Sequence, residues 1–328
     1  MGIVSNAKLQ EAFSLALEDR SRGYADLVSN NNAILAVMKK NGGWKSFSGP
    51  TIRERLLYQE SGTYVRYSGY DPLNPVPVEL FNDAEYTPKL AAVSVTLSME
   101  EVLKNSGSNQ IMDIMDEHMA AAERELIDRF VEDLHSDGTA TNQIGGLQAA
   151  VPSTVTNTYG GIDRNTVTAW RTGSYNDTVD FSAATSAANI HDQYTRVLIN
   201  HTRGKSGPNL IAASSSHFRF FQQATVALQR VTKEGGSASL GFPSLAFAGV
   251  GYELDVVLEG GIGSAMPADT TYFLALGDQG IRFRYHPDRN FVAFGGKRAP
   301  VNQDAIVQHI GFFGNLTIAN PLFCAKLY

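Results

Sequence analysis

Leu9, Phe13 and Leu17 recur every four residues, the spacing of one helical face, and residues 33–38 form a second apolar helical turn. Lys39 and Lys40 followed by Asn41 and Gly42 end that piece, with cations near the negative end of the helix dipole and glycine after the cap. From residue 44 to 77 the pattern becomes strand-like. Residues 51–59 and 63–70 are two extended runs joined around Glu60, Ser61 and Gly62, which predicts a hairpin closed off by Asp71, Pro72, Pro75 and Pro77. Neither face of its first strand is purely apolar: Ile52, Glu54, Leu56 and Tyr58 lie on one, Arg53, Arg55, Leu57 and Gln59 on the other. A lone two-stranded ribbon is marginal in water, so it must lie either on a neighbouring subunit as an extended arm or on its own domain.

Ser98 and Glu101 form a capping-box pattern that opens a short helix, interrupted at residues 105–107. Between Gln110 and His135, apolar residues step by threes and fours through Ile111, Met115, Met119, Ala122, Leu126, Phe130 and Leu134. This predicts an amphipathic helix of about 26 residues, ~39 Å long. Its other face pairs Arg124 with Asp128, Glu125 with Arg129, and Arg129 with Asp133 at i,i+4 spacing, a solvated structural face. Asp137 and Gly138 stop it. The uncharged stretch that follows, to residue 162, reads as loops and short strands. Helices through Ile190, Tyr194, Val197 and Leu198 and through Phe218, Phe221 and Leu228 flank a strand at residues 209–213. Strands then follow at residues 252–258, 272–276, 281–285, 305–313 and 316–318, with no internal repeat. Helices early and strands bunched late indicate an α+β fold.

At 328 residues, 43% hydrophobic and 18% charged, the chain holds one large domain or two modest ones, and disorder and coiled coil are excluded. Charge below the usual ~25% implies that protein neighbours cover part of the surface. The 27 basic and 33 acidic residues give a net charge of −6, which argues against a dedicated nucleic-acid binder. A single cysteine, Cys324, excludes an intramolecular disulfide and a cysteine-based zinc cluster. Lys8, Glu11, Glu18, Asp19, Arg20 and Arg22 interrupt any secretory apolar region near the start. Residues 305–325 lack charge but contain Gln308, His309, Asn315, Asn320 and Pro321, so they read as strands and not as a membrane span.

The candidate chemistry is thin. Gly204, Lys205 and Ser206 imitate the end of a phosphate-binding loop, but Ile199 stands where its first glycine belongs and Gly207 and Pro208 block the following helix. Gly261 and Gly263 suggest a dinucleotide fingerprint whose third glycine is replaced by Met266, so a turn is expected. The seven histidines, at 118, 135, 191, 201, 217, 286 and 309, show no zinc-site spacing, and His118 beside Asp116 and Glu117 reads as a surface residue. Cys324 lies in an apolar terminal segment, a poor place for a thiolate. Neither a catalytic constellation nor a cofactor is indicated, and an enzyme is not expected.

The order of elements resembles the major capsid proteins of tailed double-stranded DNA bacteriophages, the Hong Kong 97-like fold. The resemblance is carried by residues 67–71, residues 98–107 before the long helix, residues 136–138 at its end, and Ile144, Gly145, Gly146 and Leu147. Residues 159–164 followed by Trp170, residues 303–307, and residues 314–316 with Asn320 complete it along most of the chain.

The resemblance implies an N-terminal arm at 1–43 and an extended loop at 44–77 reaching across a neighbouring subunit. It further implies a peripheral domain at 78–141 and 286–318 with a spine helix at 110–135, and an axial domain at 142–285 and 319–328. Function would be structural: copies form pentamers and hexamers that close into an icosahedral shell around packaged DNA, which is held loosely and non-specifically. A portal protein and, in some capsids, a decoration or cement protein are the further partners; no membrane is involved, and the location is the virion, with assembly in the host cytoplasm. No long charged helical extension precedes residues 1–20, so scaffolding is expected from a separate protein. Trp44, Phe47, Arg53, Glu54, Arg55 and Arg66 are the expected intersubunit contacts, the charged ones through ion pairs, and deletion of residues 46–68 is expected to leave a folded but assembly-deficient subunit. Lys45, the sole lysine of the loop, is the candidate for a covalent cross-link. An encapsulin-type nanocompartment shell and a soluble α+β enzyme or binding protein are the alternatives.

Overall fold

The computed structural model describes residues 32–57, 62–73, 81–100, 108–226, 244–249, 252–259, 265–298 and 305–328. The early helical repeat at Leu9, Phe13 and Leu17, the capping glutamate Glu101, Leu228 and the Gly261–Gly263 turn fall outside these residues.

Helix α1 (Ala33–Lys40) begins where the Asn32 side chain accepts from the Leu35 amide at 3.1 Å, and ends at Asn41 and at Gly42 with φ +72°. Its six apolar residues are all buried. Residues 33–38, within the segment expected as an arm, are thus packed in the core of the described chain, because a continuous apolar run cannot present a polar face to water. The chain continues through strands β1 (Trp44–Ser46), β2 (Ile52–Leu57), β3 (Phe81–Tyr86) and β4 (Lys89–Ser98), then the spine helix α2 (Ser108–Leu134). Two short strands, β5 (Thr158–Tyr159) and β6 (Ile162–Asp163), precede β7 (Gly173–Tyr175), helix α3 (Ile190–Asn200), β8 (Leu210–Ala213) and helix α4 (Ser215–Val226). Strands β9 (Ser244–Gly249), β10 (Tyr252–Leu258), β11 (Thr271–Leu274), β12 (Ile281–Arg298), β13 (Ala305–Ile318) and β14 (Ala325–Leu327) complete the described chain.

Two larger sheets organise these elements. One has the order β1-β12-β13-β4, the other β7-β14-β11-β8-β10-β9. Met119, Ala122, Leu126, Phe130 and Leu134 form the buried stripe of α2, and Phe130 meets the rings of Phe283, Phe291 and Phe312 from the first sheet at 5.1–5.3 Å. A second core lies between the six-stranded sheet and helices α3 and α4, where the rings of Tyr194, Phe221, Phe247 and Phe273 pack against one another. On the solvent face of α2, Arg129 pairs with Glu132 at 2.7 Å, while Asp133 accepts from Gln143 at 3.1 Å. The i,i+4 partner expected for Arg129 is therefore replaced by one at i,i+3, because Asp133 turns toward the chain that follows the helix.

Three strand expectations change. The partner of β2 is β3, in the register Ile52↔Tyr86 to Leu57↔Phe81, and not residues 63–70. Ala84 and Tyr86 give β3 a face that can be buried, whereas Tyr64, Val65, Arg66 and Tyr67 all remain exposed. β12 runs on to Arg298, through register shifts at Tyr285/Asn290 and Asn290/Val292 with Phe291 at φ +56°. It enters the four-stranded sheet at Ile281, so the domain boundary expected at residues 285/286 falls inside a strand. β13 continues unbroken through Gly314, where a Cβ would lie 2.1 Å from the Arg284 carbonyl oxygen.

Candidate assembly surface

The β2–β3 ribbon leaves the four-stranded sheet through residues 47–51 and returns through Thr87 and Pro88. Alternation gives it two unlike faces. Ile52, Glu54, Leu56, Ala84 and Tyr86 face the body and are buried. Arg53, Arg55, Phe81, Asp83 and Glu85 occupy the opposite face by the same register. There Arg53 pairs with Glu85 at 2.9 Å, the Arg55 guanidinium lies 4.8 Å over the Phe81 ring, and an open groove runs between Arg53, Arg55, Phe81, Asn82 and Asp83.

Glu54 is 2% exposed and holds two arginines of β12. Arg284 donates through Nε at 2.8 Å and Nη2 at 3.2 Å. Arg282 donates through Nε at 3.1 Å and through Nη2, and the Thr317 hydroxyl adds a bond at 3.0 Å. Burial alone would push the Glu54 carboxyl upward, but its bonds to Arg284 and Arg282 outweigh it and hold the group below the ordinary carboxylate range. The network extends outward as Arg282 bonds Asp278 at 3.0 Å and Asp278 pairs with Lys45.

Beyond the ribbon, residues 62–73 carry no regular structure. A turn at Gly69, φ +56°, is closed by the Ser68 amide donating to Asp71 Oδ2 at 2.9 Å. Tyr64 is 83% exposed, and Val65, Arg66, Tyr67, Tyr70 and Leu73 are exposed with it. A run of tyrosine and aliphatic side chains left in water is surface that gains by being covered.

The six residues expected at the interface therefore separate. Trp44 packs inside its own chain against Phe283 at 5.2 Å and Tyr285 at 6.0 Å, and Phe47 against His286 at 6.0 Å and Phe313 at 5.7 Å. Both are spent on the sheet because β1 pairs in parallel with β12. Glu54 is buried and bonded to intrachain partners, so within its own chain it faces the body and not the outer ribbon face. Arg53 and Arg55 lie on the outer ribbon face with intrachain partners, and Arg66 stands exposed in residues 62–73. The exposed Tyr64, Tyr67, Tyr70, Leu73 and Phe81 escaped the sequence reading, although three tyrosines in a segment dense in glycine and proline with no opposing apolar strand were a signal. Arg282 and Arg284 escaped it too. Two cations on one face of a strand, in a mostly apolar segment, call for a carboxylate from elsewhere.

Elsewhere the chemical candidates resolve into structure. Gly204 to Ser206 form a tight turn in which the Arg203 and Ser206 backbones bond each other at 2.7 and 3.0 Å. Cys324 is buried and its thiol is pushed up to about 12, mainly by burial. His118 is half-buried, and among the described residues no three His, Cys, Asp or Glu side chains gather as a metal site. Among those residues no helix is long and apolar enough to cross a membrane.

No family model matches the sequence, and no curated protein matches it. Solved structures do. The capsid of cyanophage A-1(L) aligns with a TM-score of 0.65 at 14% identity, covering 90% of this chain and 92% of that one. A Mycobacterium phage Bobi chain aligns at 0.53 and 12% identity over 88% and 89% of the two chains. The capsid of the native GTA particle aligns at 0.51 and 10% identity over 90% and 89%. Nearly whole-length alignment at such low identity is a likeness of fold, and the fold this chain carries is the α+β, Hong Kong 97-like fold of these chains.

Proposed function

We propose that this chain is the major capsid protein of a tailed double-stranded DNA phage, a structural subunit without catalytic function. The observation that carries the reading is the fold likeness to the cyanophage A-1(L) capsid over nine-tenths of both chains. In this reading copies assemble into pentamers and hexamers and close an icosahedral shell. The four-stranded sheet with α2 is the peripheral domain, and the six-stranded sheet with α3 and α4 is the axial domain around the five-fold and six-fold centres. The ribbon, with Arg53 and Arg55 on its outer face, and residues 62–73, with Arg66 and the exposed tyrosines, reach onto a neighbouring copy. Extended arms supply contact area without a large apolar patch on the compact body.

The partners are other copies, a separate scaffolding protein, a portal protein and, where present, a decoration or cement protein. The net charge of −6 suits a wall that holds packaged DNA loosely. The site of action is the virion, with assembly in the host cytoplasm.

The test is electron microscopy of the purified chain, alone and with the product of a neighbouring candidate scaffolding gene. Capsomers or closed shells are expected in at least one condition. Small oligomers in both would overturn the reading, and shells filling with a specific enzyme cargo would replace it with the nanocompartment.

A further inference from the structure

Along the ribbon the body contacts are unequal. At its base, the Glu85 amide donates to the Gly160 carbonyl at 2.9 Å, the Tyr86 ring meets Tyr159 at 5.3 Å, and the Thr87 carbonyl accepts from Asn315 at 2.8 Å. Ile52 pairs with Tyr86 at the same level. On the buried face the next pair toward the tip is Glu54 with Ala84, and beyond it Leu56 is the last described side chain of β2 on that face. Gly49, at φ +116° with open space where a Cβ would stand, precedes the β2 side of the base. In the tip half of the ribbon, beside the buried side chains of Leu56 and Ala84, the charged hold on the sheet is thus the Glu54 carboxylate.

We infer that Glu54 and its two arginines form an electrostatic latch. While the carboxylate is ionised the ribbon is held against the four-stranded sheet, and neutralising it frees the tip half to lift about the Ile52/Tyr86 base. The groups facing Glu54 are Arg282 and Arg284 from β12 and Thr317 from β13, with Tyr86 on the neighbouring strand and Asp278 and Lys45 one contact further out behind Arg282. The arginine side chains are only 12% and 19% exposed. A neutral Glu54 would leave both partly buried cations without their shared carboxylate, and relieving that requires the interface to open to water. Arg282 already has a second anchor in Asp278, so the arginines can stay on the sheet when the ribbon leaves. The carboxyl sits below its ordinary range, so the latch is closed at neutral pH and opens as pH falls into the acid range.

The role of this latch in setting the arm's attitude during assembly rests on the capsid reading. The latch itself is tested on the unassembled full chain, so the two can fail separately. A detached two-stranded ribbon is marginal, so its amides lose protection. In hydrogen exchange at neutral pH, Glu54→Gln is expected to speed exchange of residues 54–57 and 81–84 roughly tenfold or more, with β13 and α2 unchanged. Glu54→Asp should restore part of the protection. Wild-type protection in the same segments, corrected for intrinsic exchange, should fall on acidification before that of β13; this profile decides the matter even where the Gln variant fails to fold. Unchanged ribbon exchange in Glu54→Gln, or ribbon and β13 losing protection together on acidification, would overturn the latch.

Discussion

Trp44 and Phe283 are register partners in the parallel pairing of β1 with β12, their ring centroids 5.2 Å apart. A three-residue strand from the start of the described chain thereby forms the edge of the sheet beside β12, a strand from near its end. The Trp44 indole also lies 6.4 Å from Phe130 of the spine helix, so it joins β1, the sheet and α2 at one point. Trp44→Ala should destabilise the subunit by about 3 kcal/mol, read as a lower denaturant midpoint by circular dichroism. A residue serving only an intersubunit contact would leave that midpoint unchanged and lose assembly alone.

Gly146 governs how the chain leaves the spine helix. A Cβ there would stand 2.4 Å from the Asp133 carbonyl oxygen and 2.5 Å from that of Ser136. The same segment caps the helix end, since Gln148 donates its side-chain amide to the His135 carbonyl at 2.7 Å and Ser136 donates its hydroxyl to the Ile144 carbonyl at 3.0 Å. Gly146→Ala is expected to cost about 1–3 kcal/mol in unfolding free energy, because the backbone oxygens cannot move aside as a flexible side chain would. An unaltered midpoint would mean that the loop shifts freely.

What was legible in the sequence was local. The spine helix announced itself through Met119, Ala122, Leu126 and Phe130, and its observed start at Ser108 differs from the periodic one by two residues. Lys39, Lys40, Asn41 and Gly42 marked the end of α1 correctly. The pairing of strands distant in sequence was not legible. Gly62 supplies a turn glycine at φ +61°, so residues 63–70 looked like the return strand, yet the choice of β3 depends on Ala84 and Tyr86 fitting against Gly160 and Tyr159. Glu54 misled for the same reason: a glutamate among arginines on a ribbon reads as surface until the two cations of β12 are seen beneath it.

His217 makes stability depend on pH. It is 1% exposed beneath the six-stranded sheet, its Nδ1 2.9 Å from the Thr271 hydroxyl, which also bonds Tyr194 at 2.8 Å. Burial depresses its pKa, and the negative charges of Asp269 and Asp177 oppose this only in part. Between that depressed value and the unfolded value of about 6.5, the unfolded chain binds more protons than the folded one. Stability should therefore fall as pH drops below about 6.5, and level off again once His217 is protonated in the folded state too. Denaturant midpoints at a series of pH values should show this slope, and His217→Gln should flatten it, with His191 and His201, shifted the same way by burial, supplying the remainder. An identical slope in the variant would place the proton uptake elsewhere.

Residues 62–73 separate assembly from folding more cleanly than any larger cut. Removing residues 46–68 would take out Ile52, Glu54 and Leu56, all buried, so that deletion should unfold or loosen the subunit instead of merely disarming it. Residues 62–73 are exposed throughout, and Tyr64, Tyr67 and Tyr70 make apolar contact area that has nothing to cover it within the described chain. Changing all three tyrosines to serine should leave the unfolding midpoint within about 0.5 kcal/mol of wild type, as surface substitutions do. Assembly should suffer strongly, because exposed aromatic anchors dominate interface energy once buried, at about 2 kcal/mol or more each. Sedimentation and microscopy of the triple variant should then find unassembled subunits or capsomers where the wild type forms shells. Normal shells from a variant of unaltered stability would show that the neighbour is gripped through the outer ribbon face, Arg53, Arg55 and Phe81, and not through this loop.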